Sequence, residues 1–221
     1  MGGARDPVIR LDPAERRIAI LLAALAGYVD AVGFMASGGF FVSFMTGNST
    51  RTGVGIAERM GDAAIAAMLI AAFVAGVTAG TLVRRWITRR SMLVALVALC
   101  VGIAAATARH WPVPATLAML AFAMGAENAV LVVGGEAVSL TYMTGTLVKV
   151  GQRIGHALAG GDRWGWAPFA ILWAGLILGA VAGGMAHHWL GIQALWPAAL
   201  AALLIAVALF LRERVPERTA E

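Results

Sequence analysis

Six apolar stretches dominate the chain, near residues 18–38, 63–83, 92–108, 113–133, 167–187 and 194–211. A hydrocarbon core of about 30 Å takes about 20 apolar residues of helix to cross, so the pattern predicts six membrane-spanning helices. Polar positions gather instead at the two ends and in two punctuated segments, 39–61 and 134–165.

Those two segments belong to a duplication. Residues 27–53 align without a gap on residues 125–151, an offset of 98. Seven of the 27 positions are identical: Gly27/Gly125, Ala31/Ala129, Val32/Val130, Met45/Met143, Thr46/Thr144, Gly47/Gly145 and Gly53/Gly151. Others exchange like for like, namely Asp30/Asn128, Ser43/Thr141, Phe44/Tyr142 and Arg51/Lys149. A second match extends it, with Gly76-x-x-x-Gly80 set against Gly175-x-x-x-Gly179 and one residue inserted. Small residues four apart let helix backbones approach closely.

Each copy holds three spans, an odd number, so the second must enter the membrane from the opposite side. The expected fold class is therefore an all-α membrane protein with six transmembrane helices as two inverted three-helix repeats. Each repeat carries a re-entrant or broken half-helix after its first span. The division expected is a tail over 1–16, repeat one over 17–110, repeat two over 111–211 and a tail over 212–221. The N-terminal tail, with Pro7 and Pro13, is expected to be loosely ordered.

Phe40 to Met45 is too apolar for a free surface loop. Extended at about 3.3 Å per residue it reaches roughly mid-membrane. Gly47 then permits a sharp turn, and Asn48, Ser49 or Thr50 can cap a helix over about 49–60. The second copy repeats this with Val138 to Met143, a turn at Thr144-Gly145-Thr146 and a helix over about 147–158. If both segments crossed fully there would be eight spans, with Arg84, Arg85, Arg89 and Arg90 outside, against the positive-inside rule.

Composition agrees with the pattern. The chain is 60% hydrophobic and 13% charged, well below the charge of soluble domains. With the N-terminus inside, 14 of the 17 basic residues fall in cytoplasmic segments. Only Arg51, Arg59 and Arg109 fall outside, so both ends are expected to be cytoplasmic. Arg16-Arg17 before an apolar run resembles an export signal, but the run exceeds a signal's apolar core and reads as an uncleaved first helix. The tryptophans fall near span ends, as interfacial anchors do. The single Cys100 lies in the third span, which excludes an internal disulfide.

Two half-helix starts meeting near the midplane would present unpaired N–H groups and positive partial charge, suited to an anion or polar solute. The candidate site is Asp30, Ser43, Thr46, Gly47, Asn48, Glu127, Asn128, Thr141, Thr144, Gly145 and Thr146. Asp30 and Glu127 are carboxylates at membrane depth, which need a partner or a function. Either binds a coupling proton, a cation or a cationic substrate group, or Asp30 caps its own repeat's half-helix at Thr46–Thr50. Glu127 has Val29 as its repeat partner, so its role is not shared by both halves. No metal site, cofactor motif, phosphate loop or H-E-x-x-H is present in the sequence, and no nucleic-acid partner is expected.

The run Gly27-Tyr28-Val29-Asp30-Ala31-Val32-Gly33-Phe34, then Phe40-x-x-Ser43-x-Met45-Thr46-Gly47-Asn48, resembles the YoaK-like family of small bacterial integral membrane proteins. Gly125-Ala126-Glu127-Asn128-Ala129 with Thr144-Gly145-Thr146 resembles that family's second signature. The resemblance covers about 18–210 and implies a six-span bacterial inner-membrane protein, with no activity attached. It also implies a neutral Gln where this chain has Glu127.

The expected function is that of a secondary transporter or channel for a small polar or anionic solute, not of an enzyme. Its expected partners are the bilayer and a small solute or ion, and a homodimer is permitted by the glycine-rich faces. The alternatives are a non-transporting scaffold or regulator and, in a third class, an intramembrane hydrolase using Ser43 with His156.

Overall fold

The computed structural model describes residues 6–133, 136–138 and 140–214. These form helices α1 (Pro7–Arg10), α2 (Pro13–Ser37), α3 (Met45–Glu58), α4 (Met60–Trp86), α5 (Arg90–Thr107), α6 (Val113–Glu127), α7 (Met143–Leu158), α8 (Ala167–Leu190) and α9 (Leu195–Arg214). A hairpin of β1 (Val132–Val133) against β2 (Glu136–Ala137) is the only sheet among the described residues. Arg5, Arg218 and the rest of 215–221 lie outside them.

Among the described residues, four stretches are long and apolar enough to cross a membrane: Pro13–Ser37, Met60–Trp86, Arg90–Thr107 and the 48-residue Ala167–Arg214. The last is interrupted at Gly191, whose φ of 56° opens a 3-10 turn between α8 and α9. The fourth expected span is a helix of only 15 residues, ending at Glu127 rather than near 133. Three causes are visible. The amides of Asn128, Ala129 and Val130 shift to carbonyls three residues back. Asn128 Nδ2 takes the Met124 carbonyl at 2.9 Å, and the Arg84 guanidinium takes the carbonyls of Ala129 and Val130. With its carbonyls claimed by side chains, the helix cannot propagate.

Residues 6–12 of the N-terminal tail pack against the helices, contrary to expectation. Val8 and Leu11 are buried beside Val130, Leu131 and Leu140. Asp6 pairs with Lys149 at 2.5 Å, and Glu15 with Arg90 at 2.5 Å. Asp12 caps α2 by accepting from the amides of Ala14 and Glu15, both at 2.7 Å. Those amides hold the exposed Asp12 carboxyl below the usual aspartate range.

Two parallel, crossed helix pairs form the frame: α2 lies along α8, and α6 along α4. Both depend on glycine. A methyl group on Gly27 would stand 2.1 Å from the Leu176 carbonyl oxygen, and one on Gly125 2.1 Å from that of Phe73. From the other side, a methyl group on Gly179 would stand 1.9 Å from the Ala24 carbonyl oxygen, and one on Gly76 2.0 Å from that of Phe122. Gly183 meets Tyr28 as Gly80 meets Ala126. Contact therefore matches Gly76/Gly80 to Gly179/Gly183. The sequence match to Gly175/Gly179 is one helical turn early, because equally spaced glycines at 175, 179 and 183 offer two registers and only packing chooses.

The half-helices also begin earlier than expected, at Met45 rather than about 49 and at Met143 rather than about 147. Gly47 and Gly145 consequently lie inside the first helical turn and make no sharp bend. Their role is spatial. A methyl group on Gly47 would come within 2.6 Å of the Phe44 ring, and one on Gly145 within 2.1 Å of the Tyr142 ring. In each copy the aromatic residue at the helix start folds back over the glycine three positions on. Neither start has a side-chain cap. Ser49 and Thr50, expected as caps, bond back to the carbonyls of Met45 and Thr46.

Candidate functional site

The non-helical run before each half-helix is held by a polar residue of the preceding helix, inside α2 in the first copy and at the end of α6 in the second. Asp30 Oδ1 accepts from the amides of Val42 at 2.7 Å and Ser43 at 2.9 Å. Ninety-eight residues on, Asn128 Oδ1 accepts from the Leu140 amide at 3.0 Å and from the Thr141 hydroxyl at 3.3 Å. Asp30 thus braces the segment leading into its half-helix, and it does not cap Thr46–Thr50. Asn128 already does a matching job with a neutral amide. Asp30→Asn is therefore expected to cost under about 1 kcal/mol in detergent thermal unfolding, and Asp30→Ala about 1–3 kcal/mol by orphaning buried amides. Equal costs for the two would refute the bracing role.

Asn48 is fully buried and pairs with the Phe41 peptide in both directions. Its Nδ2 donates to the Phe41 carbonyl at 2.7 Å, and its Oδ1 accepts from the Phe41 amide at 3.1 Å. Thr146, its counterpart, donates only to the Tyr142 carbonyl, at 3.2 Å.

The two half-helix starts share one cavity of about 580 Å³. Ser43, Phe44, Met45 and Thr46 line it from one copy, and Thr141, Tyr142, Met143 and Thr144 from the other. Asn128 and a face of α4 made of Phe73, Val77, Thr81 and Arg84 complete the wall. A second cavity of about 480 Å³ is lined by Asp30, Ala31, Phe34, Met35 and Phe41 together with Gly184 of α8. The two cavities have Ser43, Phe44, Thr141 and Met143 in common.

Of the eleven sequence candidates, Ser43, Thr46, Asn128, Thr141 and Thr144 face the first cavity, while Asp30, Ser43 and Thr141 face the second. Gly47, Asn48, Glu127, Gly145 and Thr146 line neither. The first two glycine and amide positions shape the half-helix starts, as do Gly145 and Thr146 in the second copy. Glu127 is shut in, and neither of its carboxyl oxygens meets a hydrogen-bond partner among the described residues.

Sequence reasoning missed Arg84, Phe44 and Tyr142 as lining residues. Arg84 was one of four basic residues counted for orientation, and nothing in its neighbourhood separates it from Arg85, Arg89 and Arg90. Packing does, by turning it onto the end of α6. Phe44/Tyr142 had a signal, since they exchange like for like within the repeat.

The family described as "Protein of unknown function (DUF1275)" matches residues 18–208. A protein of Rhizobium meliloti described as a UPF0700 transmembrane protein is 36% identical over 198 residues, covering 88% of this chain and 84% of its own. No solved structure matches. The expected kinship with an uncharacterised family of membrane proteins is borne out, and a transmembrane relative accords with the four long apolar stretches. The chain belongs to the DUF1275 family of membrane proteins.

Proposed function

We propose that the protein is a secondary transporter or channel of the bacterial inner membrane that carries a small anionic solute, with both termini cytoplasmic. The observation that carries this reading is the meeting of two half-helix starts and the Arg84 side chain in one cavity. Unpaired N–H groups, the positive ends of two helix dipoles and a guanidinium favour an anion over a cation or a neutral solute.

Six spans follow if Ala167–Arg214 is two crossings. At 1.5 Å per residue its 48 residues measure about 72 Å, more than twice a hydrocarbon core. The turn at Gly191 divides them. The crossed glycine contacts, repeated pair for pair between the copies, support an inverted repeat, since α2 and α8 are then exchanged with α6 and α4 by a two-fold axis in the membrane plane. Under this orientation the first cavity, with Thr81 and Arg84, opens toward the cytoplasm, and the second, with Phe34 and Met35, toward the outside. Ser43, Phe44, Thr141 and Met143 form the barrier between them, and rocking one repeat against the other would move it.

A hydrolase built on Ser43 and His156 finds no support in the same geometry. The start of α7 shares a cavity with Ser43, whereas His156 lies 13 residues along that helix, about 20 Å away.

Labelling tests the reading. In a Cys100→Ser background, Thr144→Cys is expected to react with a membrane-impermeant maleimide from the cytoplasmic side, and Phe34→Cys from the outer side. Thr144→Cys reacting no faster than the exposed apolar position Leu204→Cys from either side would mean a dry interface, and the scaffold reading would replace transport.

A further inference from the structure

Glu127 is the one carboxyl group that the candidate site leaves unexplained. It is the last residue of α6 and has no exposed surface. Both of its oxygens lack a hydrogen-bond partner among the described residues. A charged carboxylate in such a place is costly, and native structures retain one only for a reason.

The helices packed against α6 bring no ion-pair partner to it. From α2, Asp30 is committed to the amides of Val42 and Ser43, and the Tyr28 hydroxyl to the Ala194 carbonyl. From α4, Arg84 is committed to the carbonyls of Ala129 and Val130. From α5 the only charged residue, Arg90, is paired with Glu15.

The next two residues, Asn128 and Ala129, form the wall of the first cavity. Glu127 is thus one residue from the proposed solute path and closed off from it. The closure is held by Asn128, whose amide joins the Met124 carbonyl at 2.9 Å, the Thr141 hydroxyl at 3.2 Å and the Leu140 amide at 3.0 Å. Any motion that parts the α7 lead-in from α6 must break the bonds to Thr141 and Leu140, and it frees the end of α6 to turn.

We propose that Glu127 is a proton-binding site beside the solute path, exchanging its proton with cavity water only when the connection between α6 and α7 opens. In the closed form the carboxyl holds an O–H bond. On opening, that bond breaks, the proton passes to a water molecule as hydronium, and the carboxylate is left facing water. Re-closing takes a proton back. That this proton drives solute movement rests on the transport reading, whereas the exchange itself does not.

Infrared spectroscopy of the protein in lipid decides it. The wild type should show a carbonyl stretch of a protonated carboxylic acid that Glu127→Gln lacks and Glu127→Asp displaces. The band should shift after transfer to deuterated water. In Asn128→Ala the exchange should run at least about tenfold faster, because the bonds that hold Leu140 and Thr141 to the end of α6 are all removed. Superimposable acid-region spectra for wild type and Glu127→Gln would overturn the proposal, as would a band that never shifts in deuterated water. An unreactive Thr144→Cys with an exchanging Glu127 band would sink the transport reading alone.

Discussion

Adding one methyl group at Gly27 or at Gly125 is expected to break the helix bundle, while the same change at Gly53 or Gly151 leaves it intact or firmer. All four glycines are identical between the two copies, so the alignment gives them equal standing. Packing separates them. At Gly27 and Gly125 the new carbon would sit 2.1 Å from a backbone carbonyl oxygen of the partner helix, and a backbone cannot swing aside as a side chain can. The helices must part, at a cost of about 3 kcal/mol, the upper end for overpacking. At Gly53 and Gly151 nothing stands within 4 Å, and both lie inside helices. There alanine gains about 0.8–1 kcal/mol of helix propensity. Thermal unfolding in detergent measures the difference. Matching midpoints for Gly27→Ala and Gly53→Ala would show that α2 and α8 do not touch as described.

Asn48→Ala should be nearly as damaging. It removes both hydrogen bonds to the half-buried Phe41 peptide and leaves its amide and carbonyl without those partners, about 3 kcal/mol at most. Thr146→Ala should cost under about 1 kcal/mol, since it frees only a carbonyl already accepting from the Thr146 amide. The expected result is a lowered melting midpoint for the first variant and a nearly unchanged one for the second. Equal shifts would mean that Asn48 does not brace the run before α3.

The membrane class, the apolar helices and the presence of two matched short helices were legible because hydropathy and self-similarity are written residue by residue. The joint between helix and non-helix was not. Whether Gly47 bends the chain or makes room for a ring depends on where the Phe44 ring goes, which is a matter of side-chain direction. The early end of α6 was hidden for a related reason. Residues 128–133 are apolar enough to continue a helix, and among the groups that stop them is an arginine 45 residues upstream that reaches the Ala129 carbonyl. The site was legible as a set of polar positions. It was not divisible into residues that face a cavity and residues that hold the backbone in shape. Asp30 and Asn48 are polar either way, and only their partners tell the two roles apart.

The crossed pairing carries a consequence for how the protein is made. Gly27 leaves the ribosome about 150 residues before Leu176, the carbonyl it packs against, which is about 7–30 s at ordinary rates of synthesis. During that interval the first helix sits in lipid with a bare glycine groove and no mate. The first half of the chain is therefore not a self-sufficient folding unit, and its early helices must be sheltered by the insertion machinery or by lipid until the second half arrives. Quality control would see a nascent chain cut short before α8 as an orphan, however complete its first three helices.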